Sequence, residues 1–134
     1  MLVSDFMTKM IITAEASTLV TDAARVMAAE DIGCLVVTKG DVLAGMVAQR
    51  DLIGAHLLSE EVYHTMVLAD IMTTPVVTIS PEADLGQLVA LMHQSGRRHI
   101  PVVVGDAITG IITATDVIRV LATMKMIADS GSDD

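Results

Sequence analysis

The segment Gly110-Ile111-Ile112-Thr113-Ala114-Thr115-Asp116 has the residue types and spacing best suited to chemistry in this chain. A β-branched apolar run leads into it and a helical pattern leaves it, so Thr113 falls at a helix N-cap. Free backbone N–H groups and the helix dipole there favour an anion such as phosphate. Asp116, one turn on, is acceptor-only when ionised and suits a ribose diol. Gly110 permits close approach of backbone or ligand. The same Thr-x-x-Asp spacing also makes a capping box that needs no ligand, and both readings stand at this point. Exactly one related segment occurs 65 positions earlier, Gly45-Met46-Val47-Ala48-Gln49-Arg50-Asp51. Ala48 can neither cap nor donate, yet Asp51 keeps its place. An acid in a first helical turn is favourable without any ligand.

Other residues with chemical potential are more scattered. Arg97-Arg98-His99 holds the single adjacent basic pair of an acidic chain and precedes an apolar strand. The planar fork of Arg suits phosphate, although a solvated pair balancing nearby acids has the same sequence. His99 could titrate near neutrality or be an ordinary hydrogen-bonded residue. Cys34 aligns with His99 and reads as a redox handle or, more simply, a buried inert thiol. His56 and His64 lack a second pair at metal-ligand spacing, so no metal site is expected. No nucleophile with a base, no phosphate loop of the Gly-x-x-x-x-Gly-Lys type and no HExxH is present. The chain is therefore not expected to be an enzyme.

The elements that position these residues come in duplicate. At the same 65-residue offset, Met7-Thr8 matches Met72-Thr73, Gly40-Asp41 matches Gly105-Asp106, and Met27 matches Met92, with no insertion or deletion. A fixed period of this kind marks two copies of one supersecondary unit. Each copy begins with a short apolar strand, Ile11–Thr13 or Val76–Thr78. A helix follows, with Val20, Ala23, Ala24 and Met27, or Leu85, Leu88, Val89 and Met92, on its buried face. Asp84 and Gln87 are placed for a capping box. Two apolar strands joined by Gly-Asp turns come next, residues 34–38 with 42–47 and 100–104 with 107–112. A helix closes each copy, from Arg50 in the first and from Thr115 to about Ala128 in the second. The expected fold class is α+β: two pseudo-symmetric β-α-β-β-α repeats packed through their sheets. Residues 1–58 are repeat 1, 59–67 a connector, 68–128 repeat 2, and 129–134 a polar tail expected to be disordered.

Composition narrows the function. The chain has 134 residues, 52% of them hydrophobic, enough for one ordinary core. A net charge of −9 argues against a phosphate-backbone partner. Phe6 and Tyr63 alone cannot form a stacking platform for single strands, so nucleic acid is not expected. No run reaches the roughly 20 apolar residues of a membrane span. The N-terminus lacks the pattern of a signal peptide, and a single cysteine accords with a cytoplasmic location.

The duplicated unit resembles the CBS domain (cystathionine β-synthase domain), and the pair resembles a Bateman module. In repeat 2 the matching residues are Asp70-Ile71-Met72-Thr73-Thr74-Pro75-Val76-Val77-Thr78, Arg98-His99-Ile100-Pro101-Val102-Val103 and the Gly110–Asp116 segment. In repeat 1 they are Asp5-Phe6-Met7-Thr8, Gly33-Cys34-Leu35-Val36-Val37 and Gly45 through Leu52. That resemblance implies a regulatory module binding adenosine nucleotides (AMP, ADP or ATP) or related adenosyl compounds in clefts between the copies. By the same resemblance Thr113 would contact phosphate or ribose, Asp116 the ribose hydroxyls, and Thr78 and Pro101 would border the base. Arg98 and His99 would lie near the mouth of the cleft. Ile12, Thr13 and Asp51 would offer a second site, put in doubt by Ala48. A homodimer and a separate target protein are implied as partners. The alternative is a constitutive interaction or dimerisation module with empty clefts.

Overall fold

A computed structural model describes residues 1–131. In chain order it contains α1 (Val3–Phe6), β1 (Thr13–Glu15), α2 (Val20–Glu30), β2 (Cys34–Lys39), β3 (Val42–Ala48) and α3 (Gln49–His56). After these come α4 (Glu60–Thr65), α5 (Leu68–Ile71), α6 (Leu85–Ser95), β4 (His99–Val104), β5 (Ala107–Thr113) and α7 (Ala114–Gly131). The class is α+β. Two compact units form, and they cut across the sequence repeats. One is Ile11–Val76; the other joins Met1–Met10 to the chain from Val77 onward. Each unit thus carries the leader segment of the other repeat.

In the Ile11–Val76 unit, β1 pairs in parallel with β2, and β2 pairs antiparallel with β3. Thr73 adds an isolated bridge to Met46 on the far edge of β3. The core gathers Val20, Ala23 and Met27 of α2 with Leu35, Val37, Val47, Ala55 and Leu68. The tight β2–β3 turn uses positive φ at both Gly40 (55°) and Asp41 (66°), which matches the twist of the flanking strands. The first strand lies two residues later than its apolar content suggests. The cause is Glu15, whose carboxylate accepts hydrogen bonds from Thr38 Oγ1 and from the Gly40 N–H, each 3.3 Å. Polar side-chain bonding, not burial, extends that strand. The expected connector contains a helix, α4, capped by Ser59 Oγ accepting from the Val62 N–H; its Tyr63 packs on the core.

In the second unit, β4 and β5 form an antiparallel hairpin. The expected strand Val76–Thr78 is not formed. Only Ile79 bridges, in parallel, to Val102, with Ile79 N–H donating to the Pro101 carbonyl (3.1 Å) and Val103 N–H to the Ile79 carbonyl (3.0 Å). Comparison with the other unit supplies the reason. There the Val36 N–H donates to the Ile12 carbonyl. Pro101 occupies the position of Val36 and has no N–H to give. α6 starts with the expected reciprocal cap: Gln87 N–H to Asp84 Oδ1 at 2.8 Å and Asp84 N–H to Gln87 Oε1 at 2.9 Å. Leu88 is fully buried, but Val89, expected on the same face, is exposed. The core joins Leu88 to Val3, Ile79, Ile100, Val102, Ile112 and Val117. Helix α7 runs through Asp129, Ser130 and Gly131, the first residues of the expected disordered tail; Ser132, Asp133 and Asp134 lie outside the described residues.

Each sheet edge is closed by a leader methionine lying on a bare glycine. A Cβ added to Gly110 would stand 2.5 Å from Met7 Sδ and 3.0 Å from the Thr8 carbonyl oxygen; one added to Gly45 would stand 2.6 Å from Met72 Sδ. Overpacking of this kind costs about 1–3 kcal/mol. Gly110→Ala is expected to lose stability in that range by denaturant unfolding. Because the nearest atom belongs to a flexible side chain, adding Met7→Ala should give a double variant less destabilised than the sum of the singles.

Candidate functional site

The end of the β4–β5 hairpin and the first turn of α7 form one corner. His99 lies opposite Thr113 across the hairpin, and the Ala114 N–H donates to the Arg98 carbonyl at 2.9 Å. This brings Arg98, His99, Thr113 and Asp116 together. Thr78 precedes the Ile79 bridge, so it lies at the same end of the sheet as the Pro101 stretch. Pro101 itself is fully buried, and its ring offers no free surface to a base.

At the α7 N-terminus both halves of the cap are made. The Asp116 N–H donates to Thr113 Oγ1 at 3.1 Å, and the Thr113 N–H donates to Asp116 Oδ2 at 2.9 Å. The hydroxyl proton of Thr113 is left to donate elsewhere. Asp116 is only 4% exposed, and its second oxygen accepts from Arg119 Nη1 at 3.1 Å. Arg119 is a residue of this corner that the sequence reading did not single out. Its signal was the i, i+3 spacing from Asp116, which brings opposite charges together on one helix face. With its side chain 69% exposed, the pair contributes no more than about 1 kcal/mol, and the guanidinium can swing away at little cost.

Arg97 is half-buried and Arg98 exposed. Among the described residues, neither guanidinium pairs with a carboxylate. His99 is itself engaged. Thr113 thus stands at a helix N-terminus, and just before β4 the chain carries Arg97 and Arg98, which pair with no carboxylate among the described residues; these are residue types suited to an anion.

The Ile11–Val76 unit has the equivalent corner, with Cys34 opposite Ala48 and the Gln49 N–H donating to the Gly33 carbonyl. Only half of the cap is present: the Ala48 N–H donates to Asp51 Oδ2 at 2.8 Å, and the Ala48 methyl accepts nothing. Ile12 is half-buried, with its carbonyl on the Val36 N–H, and Thr13 is exposed at the start of β1. Among the described residues no group of His, Cys, Asp and Glu is arranged to hold a metal ion. No described helix is long and apolar enough to cross a membrane.

Comparison with known proteins decides the family. The CBS domain model matches residues 3–57 and again 68–123. The chain belongs to the CBS domain family. It is 30% identical over 105 residues to the mitochondrial CBS domain-containing protein CBSX3 of Arabidopsis thaliana, covering 75% of this chain and 51% of that protein. The chain thus spans about half the length of that curated relative. Among solved structures, the putative acetoin utilization protein AcuB of Vibrio cholerae superposes with a TM-score of 0.83 at 28% identity, covering 97% of this chain and 96% of that one. CBSX2, solved in complex with AMP, superposes with a TM-score of 0.81 at 25% identity over 92% of this chain and 98% of that one.

The two CBS repeats treat one matching position differently. Where repeat 2 has His99, repeat 1 has Cys34, whose thiol is pushed up to about 12, first by burial and then by the charge of Asp51. A thiol held protonated in the fold stabilises fully below its unfolded value and loses that contribution as pH climbs through the folded one. Stability should therefore fall from about pH 9 toward pH 12, and Cys34→Ala should flatten that decline in urea titrations. Iodoacetamide should leave the folded thiol unmodified at pH 8.

Proposed function

We propose that this CBS pair is a regulatory ligand-sensing module, not an enzyme, and that it binds an adenosine nucleotide (AMP, ADP or ATP) at the Thr113–Asp116 corner. The observation that carries the reading is the Thr113–Asp116 pair at the α7 N-terminus, with a spare hydroxyl proton on Thr113 and the Arg98 backbone hydrogen-bonded to Ala114 next to it. Phosphate meets Thr113, the first-turn N–H groups and Arg98. The ribose diol meets Asp116, taking the place of Arg119. Thr78 borders the nucleoside. The AMP complex of CBSX2 supports the same ligand class for this chain.

Sensing follows if ligand prefers one of two arrangements of the module, because a ligand shifts an equilibrium only by its differential affinity. A target protein then reads the favoured arrangement. A homodimer belongs to this reading. Helix α7 exposes Ile118, Leu121, Met124 and Ile127, and a second copy burying them would be self-complementary. Light scattering at micromolar concentration is expected to give twice the mass of the chain.

The competing reading is a constitutive interaction module that binds nothing. It draws on the completed cap, since Thr113 and Asp116 already satisfy each other. Calorimetry separates the two. The unmutated chain should bind AMP, ADP or ATP, and Thr113→Ala combined with Asp116→Ala should weaken that binding at least a hundredfold. Thr113→Ser, which keeps the hydroxyl, should bind nearly normally. An unmutated protein that takes up none of these nucleotides would establish the interaction module instead.

A further inference from the structure

The chain holds 10 methionines, and their surroundings divide them. Met27 and Met46 are buried, whereas Met10 is 79% and Met126 70% exposed. Met7 falls between these extremes. It is half-buried, packs against the core that holds Val3, Leu88 and Ile112, and lays its sulfur on Gly110. A Cβ added to that glycine would meet Met7 Sδ at 2.5 Å, Met7 Cγ at 3.0 Å and the Thr8 carbonyl oxygen at 3.0 Å. The side chain is thus both reachable from solvent and closely packed.

A thioether is soft and apolar, which suits contact with a bare Cα. A sulfoxide is polar and disrupts such packing. The backbone atom nearest this contact is itself an acceptor, the Thr8 carbonyl oxygen, already occupied by the Ile111 N–H at 2.9 Å. An oxygen added to Met7 on that side meets a methylene and a second acceptor, and gains no donor from either. Few bonds fix the arm that carries Met7. Besides the Thr8–Ile111 exchange, the Val3 N–H donates to the Ala83 carbonyl at 2.8 Å and the Ser4 N–H to the Pro81 carbonyl at 3.0 Å. Met7 and Gly110 stand 103 positions apart, against 27 for Met72 and Gly45, so reseating this arm costs more closure entropy. At Gly45 the three nearest atoms all belong to the Met72 side chain, with no carbonyl among them.

We propose that Met7 is a reversible oxidation site whose sulfoxide frees the Met1–Met10 arm from β5. A lone pair of Met7 Sδ attacks one oxygen of hydrogen peroxide. The S–O bond forms, the O–O bond breaks, and the leaving hydroxide takes the proton of the transferred oxygen and departs as water. Sulfur gives up the two electrons that the peroxide gains. A dithiol reductase reverses the change: it supplies two electrons and two protons, releases the oxygen as water and becomes a disulfide. Loss of the arm bares the Ile111 N–H and C=O on the outer edge of β5. Nothing in this depends on which ligand the module binds.

Hydrogen peroxide treatment of the full chain, followed by peptide mass spectrometry and hydrogen exchange, tests it. Met7 is expected to convert along with Met10 and Met126. The peptides containing Thr8 and Ile111 should then exchange at least about tenfold faster, while α2, β2 and β3 keep their protection. Methionine sulfoxide reductase should restore the original exchange. Met7→Leu, close in volume and not oxidisable, should hold its arm through the same treatment. Met7→Gln, which puts a polar group in the same place, should loosen the arm without peroxide. The proposal fails if Met7 stays intact once Met10 and Met126 are fully converted. It fails equally if Met7 sulfoxide leaves Ile111 protected, or if the Met7→Leu chain loosens under peroxide as much as the unmutated one.

Discussion

Thr8 and Ile111 exchange two backbone hydrogen bonds, each 2.9 Å long. Thr73 and Met46 do the same at 2.8 and 3.1 Å. These pairs close the outer edges of the two small sheets with chain from the opposite repeat, and the rest of the architecture follows. An open edge on a two- or three-stranded sheet would leave β5 or β3 with unpaired N–H and C=O groups. Closing it demands that the arm lie directly against the strand, which is why Gly45 and Gly110 carry no side chain under Met72 and Met7. The same arms deliver Val3 and Leu68 to the two cores, where both are fully buried.

Much of this could be read from the residues because the repeat made each copy a control for the other. The hairpins, the Gly-Asp turns, the Asp84–Gln87 cap and the strand-to-helix corners all depend on contacts close in sequence. What escaped depended on long-range pairing or on the absence of a group. The exchanged arms leave no local trace, since Met7-Thr8 and Met72-Thr73 look alike whichever sheet they join. The missing strand before Ile79 could have been foreseen from Pro101, a residue with no N–H at a position that must donate. Apolar content outweighed that signal, as it did for Glu15, a charged residue that extends β1 through side-chain bonds.

The corner residues were legible in type but not in state. Thr113 and Asp116 came together as their spacing required, and Arg119 joined them through a helical spacing that was equally visible. Burial separates the two aspartates. Asp116 is almost wholly enclosed and paired with Arg119, and Asp51 is half-exposed with no counter-ion among the described residues. Identical residues at identical register positions therefore sit in different electrostatic surroundings, and the difference comes from neighbours 17–19 residues away along the chain or one turn along the helix.

The arm exchange also orders events during synthesis. Ile11–Val76 is one unbroken stretch, so all of its residues are synthesised before the second hairpin is. The other unit is discontinuous. Its first ten residues emerge earliest, yet Val3 and Thr8 must wait for Ala83 and Ile111. Loop closure across so long an intervening segment costs entropy that local hairpins do not, and contacts of large sequence separation slow folding. A chain interrupted before β5 would hold one finished unit and a dangling leader with an apolar Val3, the kind of exposed segment that chaperones bind.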